Sequence, residues 1–334
     1  MAPMADVTDV AFRALVAARG KPDVFWTEFV SADGLYHTRE VPKSDFGSNY
    51  RSLTSVLVDT ENPLMRDLQF DPDQRPIVAQ IFSSKPEMIT YATKLVAELG
   101  FDGVDINMGC PDRAIERQGC GAAMMKNPAL AQEIIRAAQE ASSLPVSVKT
   151  RVGYNKESLD EWLTALLEAN PAAITLHLRT RKEMSLVPAD WELMKKAVAL
   201  RDRVNPGVLL IGNGDVQDLE DGRAKVAESG CDGAMLGRAM FGNPWVFEGL
   251  RKSFIGAGLT KSEHGLDEKL KALVELARGF EKISPPKNFA ILKKHIKAFV
   301  TGFDGAALLR ARLMQAESAS ELEQIALDKT AAMV

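Results

Sequence analysis

The sequence predicts a (β/α)8 TIM barrel followed by a C-terminal all-helical domain, and three observations carry that prediction. Short β-rich runs alternate with helix-like stretches through residues 1–250, polar residues and glycines collect just after the apolar part of each run, and beyond Pro244 only helical periodicity remains. Strand-then-helix repetition calls for a parallel sheet covered by helices. Eight such units fit a closed barrel better than an open doubly wound sheet, and a barrel places its chemistry at the C-terminal ends of its strands.

The strand runs are Val24–Phe29, Ile77–Ile81, Gly103–Asn107, Val146–Lys149, Ala173–His177, Val208–Gly212 and Gly233–Leu236, with Met1–Met4 as the end of a first strand. That first strand has fewer residues than the roughly five a barrel strand usually takes, so it is expected to be short. The helical stretches Pro86–Leu99, Pro128–Ala141, Leu159–Ala169, Trp191–Leu200 and Asp218–Ser229 carry apolar residues at three- and four-residue spacing. Their starts are marked by Ser84 then Pro86, by Asn127 then Pro128, and by Asp190 before Trp191. Residues 38–75 form a long excursion, strand-like in part over Asn49–Val58, of the kind that covers or lines a barrel's site. Leu270–Phe280, Phe289–Val300, Ala306–Ala316 and Ser320–Leu327 read as amphipathic helices. The boundary between a barrel of residues 1–250 and a helical domain of 251–334 falls near Leu250–Gly258.

Bulk properties narrow the function. The 334 residues are 46% hydrophobic, enough for a full core. Apolar stretches are only strand-length, which excludes a bilayer-spanning helix. Asp6 and Asp9 sit where a secretory signal would be basic and then apolar, so a cytoplasmic location is expected. Cys110, Cys120 and Cys231 are odd in number and match no zinc spacing, so neither a disulfide scaffold nor a metal site is expected. The net charge of −4 hides a split: residues 251–334 hold 14 Lys/Arg against 10 Asp/Glu, whereas residues 1–250 hold 27 against 35. A basic tail on an acidic body is an asymmetry with functional meaning.

The strand ends supply the candidate chemistry. Asn213-Gly214-Asp215 and Gly237-Arg238 follow the last two runs, where barrel loops commonly hold a phosphate on backbone N–H groups. Gly214 and Gly237 admit close approach, and Arg238 adds a charged fork. Two ordinary tight turns would look alike singly; both loops matching favours a phosphate. Lys149 closes its strand at the barrel mouth, a costly place for a cation without an anionic partner, and a reduced flavin would meet that need. A lone His is more often a satisfied core residue, but His177 sits at a strand end. In Asp105-Ile-Asn-Met-Gly-Cys110-Pro111, Asn107 can hold a ligand's amide edge, and Gly109 with Pro111 fixes a loop that exposes Cys110. Cysteine is most often a small buried hydrophobe, a reading that suits Cys231 and suits Cys110 poorly. Cys120 reads as structural or as an incidental thiol. With an ordinary thiol pKa of about 8.5, Cys110 stays protonated at neutral pH and can donate that proton.

These residues resemble the tRNA-dihydrouridine synthases. The resemblance is carried by Met1-Ala-Pro-Met4 with Phe12-Arg13, the Asp105–Pro111 segment, Gly121-Ala-Ala-Met124, Val148-Lys-Thr-Arg151, and His177 with Arg179-Thr-Arg181. Ala189-Asp-Trp191, Asn213-Gly-Asp215 and Gly237-Arg238 through Gly242-Asn-Pro-Trp245 continue it to about residue 250, and Lys293-Lys-His295 with Gly302-Phe-Asp-Gly-Ala306 extends it into the tail. It implies FMN as cofactor, NADPH as reductant, and reduction of the C5=C6 bond of a tRNA uridine, with hydride from flavin N5 to C6 and a proton from Cys110 to C5. It implies that Pro3, Met4, Ala5, Gln80, Lys149 and His177 contact the flavin. Asn213, Gly214, Asp215, Gly237 and Arg238 would hold its ribityl chain and phosphate.

On the substrate side stand Asn107, Arg151, Arg179 and Arg181 at the rim, and Lys293, Lys294 and Lys297 in the tail. Segment 282–312 also carries Lys282, Lys287, Arg310 and Arg312, opposed locally only by Asp304. A solvated helix face is the usual fate of such a run, but here a groove between barrel and tail is expected to bind tRNA, largely through phosphate contacts. No obligate protein partner is evident, and a monomer is expected. The sequence departs from the family where Leu178 stands after the strand-end His in place of Gly, and where Lys182–Pro188 replaces a usual Gln or aromatic before Gly. That loop lies near the substrate, so the uridine position is left open. Two rivals are weighed: an FMN-barrel reductase of a small molecule (dihydroorotate dehydrogenase-like or ene-reductase-like), which would lack the Gly-Cys-Pro loop joined to a basic tail, and a tRNA-binding protein with lost or secondary activity, against which Cys110, Lys149 and His177 stand.

Overall fold

Seven parallel strands pair in chain order: β1 (Phe25–Ser31), β2 (Ile77–Phe82), β3 (Gly103–Met108), β4 (Val146–Arg151), β5 (Ala173–His177), β6 (Leu209–Asn213) and β7 (Gly233–Met235). They belong to a computed structural model that describes residues 1–38, 62–249 and 264–328. Each matches a run of the sequence to within two residues. β3 is buried at all six positions, as an interior strand covered on both faces should be. The register sets the strand ends level: Asn107 lies beside Lys149, Arg151 beside His177, and His177 beside Asn213.

The expected first strand is not a strand. Met1 donates its amino group to the Val24 carbonyl at 3.0 Å, and Ala2 N–H donates to the Leu236 carbonyl at 2.7 Å. Two residues thus bridge the gap between β1 and β7 at the place of the eighth stave. One bond to each neighbour is too little for a ladder.

The helices are α1 (Val10–Arg19), α2 (Ala32–His37), α3 (Pro86–Glu98), α4 (Arg113–Glu116), α5 (Pro128–Ala141), α6 (Leu159–Glu168), α7 (Glu192–Val204) and α8 (Leu219–Ser229). α9 (Leu266–Glu281), α10 (Lys293–Phe299), α11 (Ala306–Leu313) and α12 (Ala319–Leu327) follow. α5 shows why they form: the Asn127 side chain caps Leu130 N–H, Pro128 takes the first turn, and Ala131, Ile134, Ile135 and Ala138 make one buried stripe. The stretch expected to run unbroken over Phe289–Val300 is divided. Asn288 caps a 3-10 turn over Phe289–Ile291, and only then does α10 start. Asn49–Val58 and the division near Leu250–Gly258 lie outside the described residues.

The C-terminal helices pack onto the barrel through α9 against α1, and Arg19 pairs with Glu275 at 2.6 Å. A deeper tie comes from Lys287, whose side chain is 3% exposed and whose Nζ meets Glu28 Oε2 at 2.5 Å and Asp67 Oδ1 at 2.9 Å. Among the described residues no helix is long and apolar enough to cross a membrane.

Candidate active site

A cleft of about 320 Å³ opens at the C-terminal ends of the strands, where a parallel barrel puts its chemistry. A larger groove of about 1100 Å³ is lined by α1, α9 and α12 and takes nothing from the strand ends. The strand-end cleft gathers Pro3, Met4, Gln80, Asn107, Cys110 and Lys149, together with Arg151, His177, Arg179, the Asn213–Asp215 loop, Gly237 and Arg238.

Its floor is a directed chain of hydrogen bonds. Buried Asp105 accepts from Ser147 Oγ at 2.6 Å and from Gln80 Nε2 at 2.6 Å. Gln80 Oε1 accepts from Asn107 Nδ2 at 3.0 Å, and Asn107 Oδ1 accepts the N–H groups of Gly109 at 3.1 Å and Cys110 at 2.9 Å. A carboxylate only accepts when ionised, so it sets the direction of the two amides that follow. The last of them holds the Cys110 loop.

Four cations and one carboxylate share the cleft wall. Lys149 Nζ donates to Asn213 Oδ1 at 3.1 Å, and the Asn213 amide is itself oriented by its bond to the Met235 carbonyl at 2.8 Å. Among the described residues no carboxylate forms an ion pair with Lys149. Burial and the nearby Arg151 pull its ammonium down to about 8. Burial, then Lys149, Arg151 and Arg179, hold His177 far below an ordinary imidazole, so it is neutral. Its Nε2 lies 3.0 Å from Arg179 Nη1, which can only donate, so the ring proton sits on Nδ1.

Asp215 clamps two arginines, pairing with Arg179 and with Arg238 Nη2 at 2.6 Å, and its carboxyl is held at about 2 by the bond from Arg179. Asp215 lines the cleft where it was expected, with its carboxylate committed to the two arginines. Its side chain positions arginines, and its negative charge would repel a phosphate. The adjacent Gly214, at φ +126°, takes a backbone shape that side chains rarely adopt, and a Cβ there would press Ala189 at 2.7 Å. Gly212 is needed for a different reason, because a Cβ would collide with the Trp191 ring, whose Nε1 donates to the Gly214 carbonyl at 2.9 Å.

Cys110 is half-buried, and its side chain packs against the cluster of Phe82, Ile115 and Cys120. Burial pushes its thiol above the ordinary value, which keeps it protonated. Cys120 and Cys231 are buried; Cys231 is satisfied by Ser229 and the Gly233 carbonyl, as a structural cysteine should be.

Among the expected contacts, some lie outside the cleft and others have their side chains bonded within the protein. Ala5 is exposed and outside the cleft lining, while Ala2 takes a place in it. The Arg151 guanidinium spends its donors on the carbonyls of Gly109 at 2.8 Å, Thr180 at 3.2 Å and Met184 at 2.9 Å. It lines the cleft as scaffold. Arg179 is likewise consumed, by His177, Asp215 and the Val187 carbonyl at 2.6 Å. Arg181 pairs with Glu116 and lies over the Tyr154 ring. In the tail, Lys287 is buried in its ion pairs, Arg310 bonds the Val300 carbonyl and Arg312 pairs with Asp328. Lys297 is exposed, Lys293 is half-buried, and Lys294 lies 3.4 Å from Asp6, just beyond the Pro3–Met4 segment. Phe29, Ser185 and Met235 join the cleft without having been singled out. For Phe29 a signal existed, since it ends a strand run.

The chain matches the family model described as dihydrouridine synthase (Dus) over residues 1–333. It is 38% identical over 329 residues to a protein of Bacillus subtilis (strain 168) named probable tRNA-dihydrouridine synthase 2, covering 97% of this chain and 91% of the relative. It is 36% identical over 325 residues to the probable tRNA-dihydrouridine synthase of Staphylococcus aureus (strain MRSA252), covering 96% and 89%. Among solved structures, histamine dehydrogenase from Rhizobium sp. 4-9 superposes with a TM-score of 0.50 at 12% identity over 86% of this chain. That likeness is one of fold, and the chain spans about half of that structure's length (48%).

Proposed function

The chain belongs to the dihydrouridine synthase family, and from that premise we propose that it reduces the C5=C6 bond of a uridine in tRNA to 5,6-dihydrouridine, with FMN as cofactor and NADPH as reductant. The observation that carries this reading is the presence of a protonated thiol and four cations in one cleft. Cys110 faces the same cleft as Lys149, Arg151, Arg179 and Arg238, with Asp215 as the one carboxylate among the lining residues.

The residues fit a flat anionic group. Among the described residues Lys149 has no ion-pair partner, and a negative charge at the position it faces would offset the cost of its burial. The loops after β6 and β7 bring Gly214 and Gly237 to the cleft, where a Cβ on Gly237 would stand 3.6 Å from Ala2 and 3.9 Å from the Met4 sulfur. Arg238, bonded to Asp215 at the surface, is placed to turn toward a phosphate. When bound, the flavin would supply the reducing equivalents that arrive at C6 of the uracil.

The remaining work falls to the chain's own side chains. Cys110 Sγ would carry the proton destined for C5, and burial ensures that it carries one at neutral pH. Asn107 fixes the loop on which that thiol stands. Lys149 holds negative charge, and neutral His177, its Nε2 engaged by Arg179, offers Nδ1–H as a donor. Chemistry on a base requires that base to leave its stack and enter the pocket. The helices beyond residue 264 are proposed as the domain that grips the rest of the tRNA, and the location that goes with this substrate is the cytoplasm.

The test is direct. The flavin-loaded protein is incubated with NADPH and unmodified tRNA, and dihydrouridine is measured by mass spectrometry. Cys110→Ala should retain flavin and lose on the order of 10²-fold or more in product rate, the usual contribution of a positioned acid. Undiminished turnover in that variant would remove Cys110 from the role.

A further inference from the structure

The loop after β5 is built more firmly than a connection needs. Thr180 and Glu183 cap each other, with Thr180 N–H on Glu183 Oε2 at 2.7 Å and Glu183 N–H on Thr180 Oγ1 at 3.2 Å. Arg181 and Lys182 donate their backbone N–H groups to the Gly153 and Tyr154 carbonyls, each at 2.9 Å. From beneath, Arg151 grips the Met184 carbonyl and Arg179 grips the Val187 carbonyl. Met184 is held at φ +57°, a left-handed conformation that a residue with a long side chain adopts only when its surroundings enforce it.

What this scaffold displays is apolar. Leu186 is 86% exposed, and Met184 and Val187 are each 41% exposed. Scattered exposed hydrophobes are ordinary. Three within four positions, on a loop held by two buried arginines, are not. Between Met184 and Leu186, Ser185 lines the cleft itself, which places the apolar tip on the cleft's rim. Exposed Lys182 precedes that tip, and its backbone N–H meets the carbonyl of Tyr154, over whose ring Lys126 lies at 4.0 Å.

We infer that Leu186, supported by Met184 and Val187, is a wedge that packs against the nucleobases left without a stacking partner when the target base enters the cleft. The inference rests on the proposed action on a tRNA uridine. Withdrawing a base exposes the π-faces of its neighbours, and proteins that open a stack commonly fill the gap with Leu, Met, Phe or Ile. Lys182 and Lys126, gathered at Tyr154, add positive charge near that loop for the phosphate backbone. Arg151 and Arg179 join the wedge to the site, because the same two guanidiniums that hold the loop's carbonyls also line the cleft. Leu186 is thus a substrate-positioning residue.

The experiment measures binding of an unmodified tRNA transcript to the full-length protein, its Leu186→Ala variant and its Leu186→Phe variant over a series of salt concentrations. Thermal melting checks that each variant is folded. The expected result is an affinity about 5- to 30-fold weaker for Leu186→Ala, in the range expected when part of one base-stacking interaction is removed. The slope of log Kd against log salt should be unchanged, since no phosphate interaction is removed, and Leu186→Phe should bind within about twofold of the parent because an aromatic ring stacks as well. Equal binding by Leu186→Ala and parent overturns the wedge. So does a weakened affinity accompanied by a shallower salt slope, which would assign the effect to the lysines. If the parent itself neither binds tRNA nor forms dihydrouridine, the proposed function falls and takes the wedge with it.

Discussion

Gln80 Nε2 donates to Asp105 Oδ2 at 2.6 Å, so a carboxylate inside the barrel decides which way the Gln80 amide faces. With Nε2 committed, Oε1 must turn to Asn107, and Asn107 Oδ1 is then free to hold the Cys110 loop. Burial pushes the Asp105 carboxyl above its ordinary value, so its acceptor role rests on the donors around it.

Asp105→Ala should therefore destabilise the protein by about 2–5 kcal/mol, because it orphans buried donors on both Gln80 and Ser147. Asp105→Asn should cost much less. Its amide oxygen can still accept from Gln80, and the Ser147 hydroxyl can rotate to accept from the new NH2. Urea midpoints of the two variants check this. Equal losses would show that shape and not hydrogen bonding is what Asp105 supplies.

Lys149 gives a pH dependence with a definite sign. Its ammonium is held at about 8 without a ligand, and a bound anion would raise that value by favouring the charged form. FMN affinity should then be flat below pH 8 and fall by up to about tenfold per pH unit above it, until the raised pKa of the bound state is passed. Lys149→Gln should bind more weakly at pH 7 and lose the dependence. For the ligand-free protein the linkage is different: between pH 8 and the ordinary lysine value of about 10.4 the unfolded chain holds a proton the folded one lacks, so stability rises with pH there. Flavin fluorescence titrations and denaturant curves at matched pH read both.

The barrel was legible because each parallel strand is a short apolar run and each covering helix has its own stripe, as Ile134, Ile135 and Ala138 show in α5. Cys110, Lys149, His177 and the Asn213–Asp215 loop meet in one cleft because residues at one level of a parallel register share a mouth. What escaped were partnerships across sequence distance. Nothing near Asp215 shows that it will clamp Arg179, 36 positions away. Nothing local to Arg151 shows that its donors go to Met184 and Thr180. Lys287 reads as one more surface cation because its partner Glu28 lies 259 residues earlier. Charges read one at a time look available, and folding decides which remain so.

That buried pair leads to a stability prediction. Burial pushes the Glu28 carboxyl up to about 7 even with Lys287 against it. Lys287→Ala would leave buried Glu28 without its ion-pair partner and Asp67 with Arg66 at 3.6 Å, at a cost of about 3–5 kcal/mol. The defect should shrink at pH 6, where Glu28 takes up a proton, and adding Glu28→Gln should restore part of the loss at pH 7.5. A defect that ignores pH would point to lost packing of the lysine stem instead. Chemical denaturation of the single and double variants at both pH values separates the two.

The tail lysines make the most demanding case, because one of them already has a partner. Lys297 is exposed and Lys293 half-buried, whereas Lys294 stands 3.4 Å from Asp6. An exposed pair of that kind contributes little to folding, about 0–1 kcal/mol, so Lys294 can exchange Asp6 for a phosphate at small cost. Replacing Lys293, Lys294 and Lys297 together by Gln should leave the melting temperature within a few degrees, weaken tRNA binding, and flatten the salt slope by about 0.7–0.9 for each phosphate that the protein no longer neutralises. Asp6→Asn alone should do the opposite and tighten binding modestly by freeing Lys294. If the triple variant keeps the parent slope, these lysines are a solvated helix face, and the tRNA backbone is held by other cations of the chain.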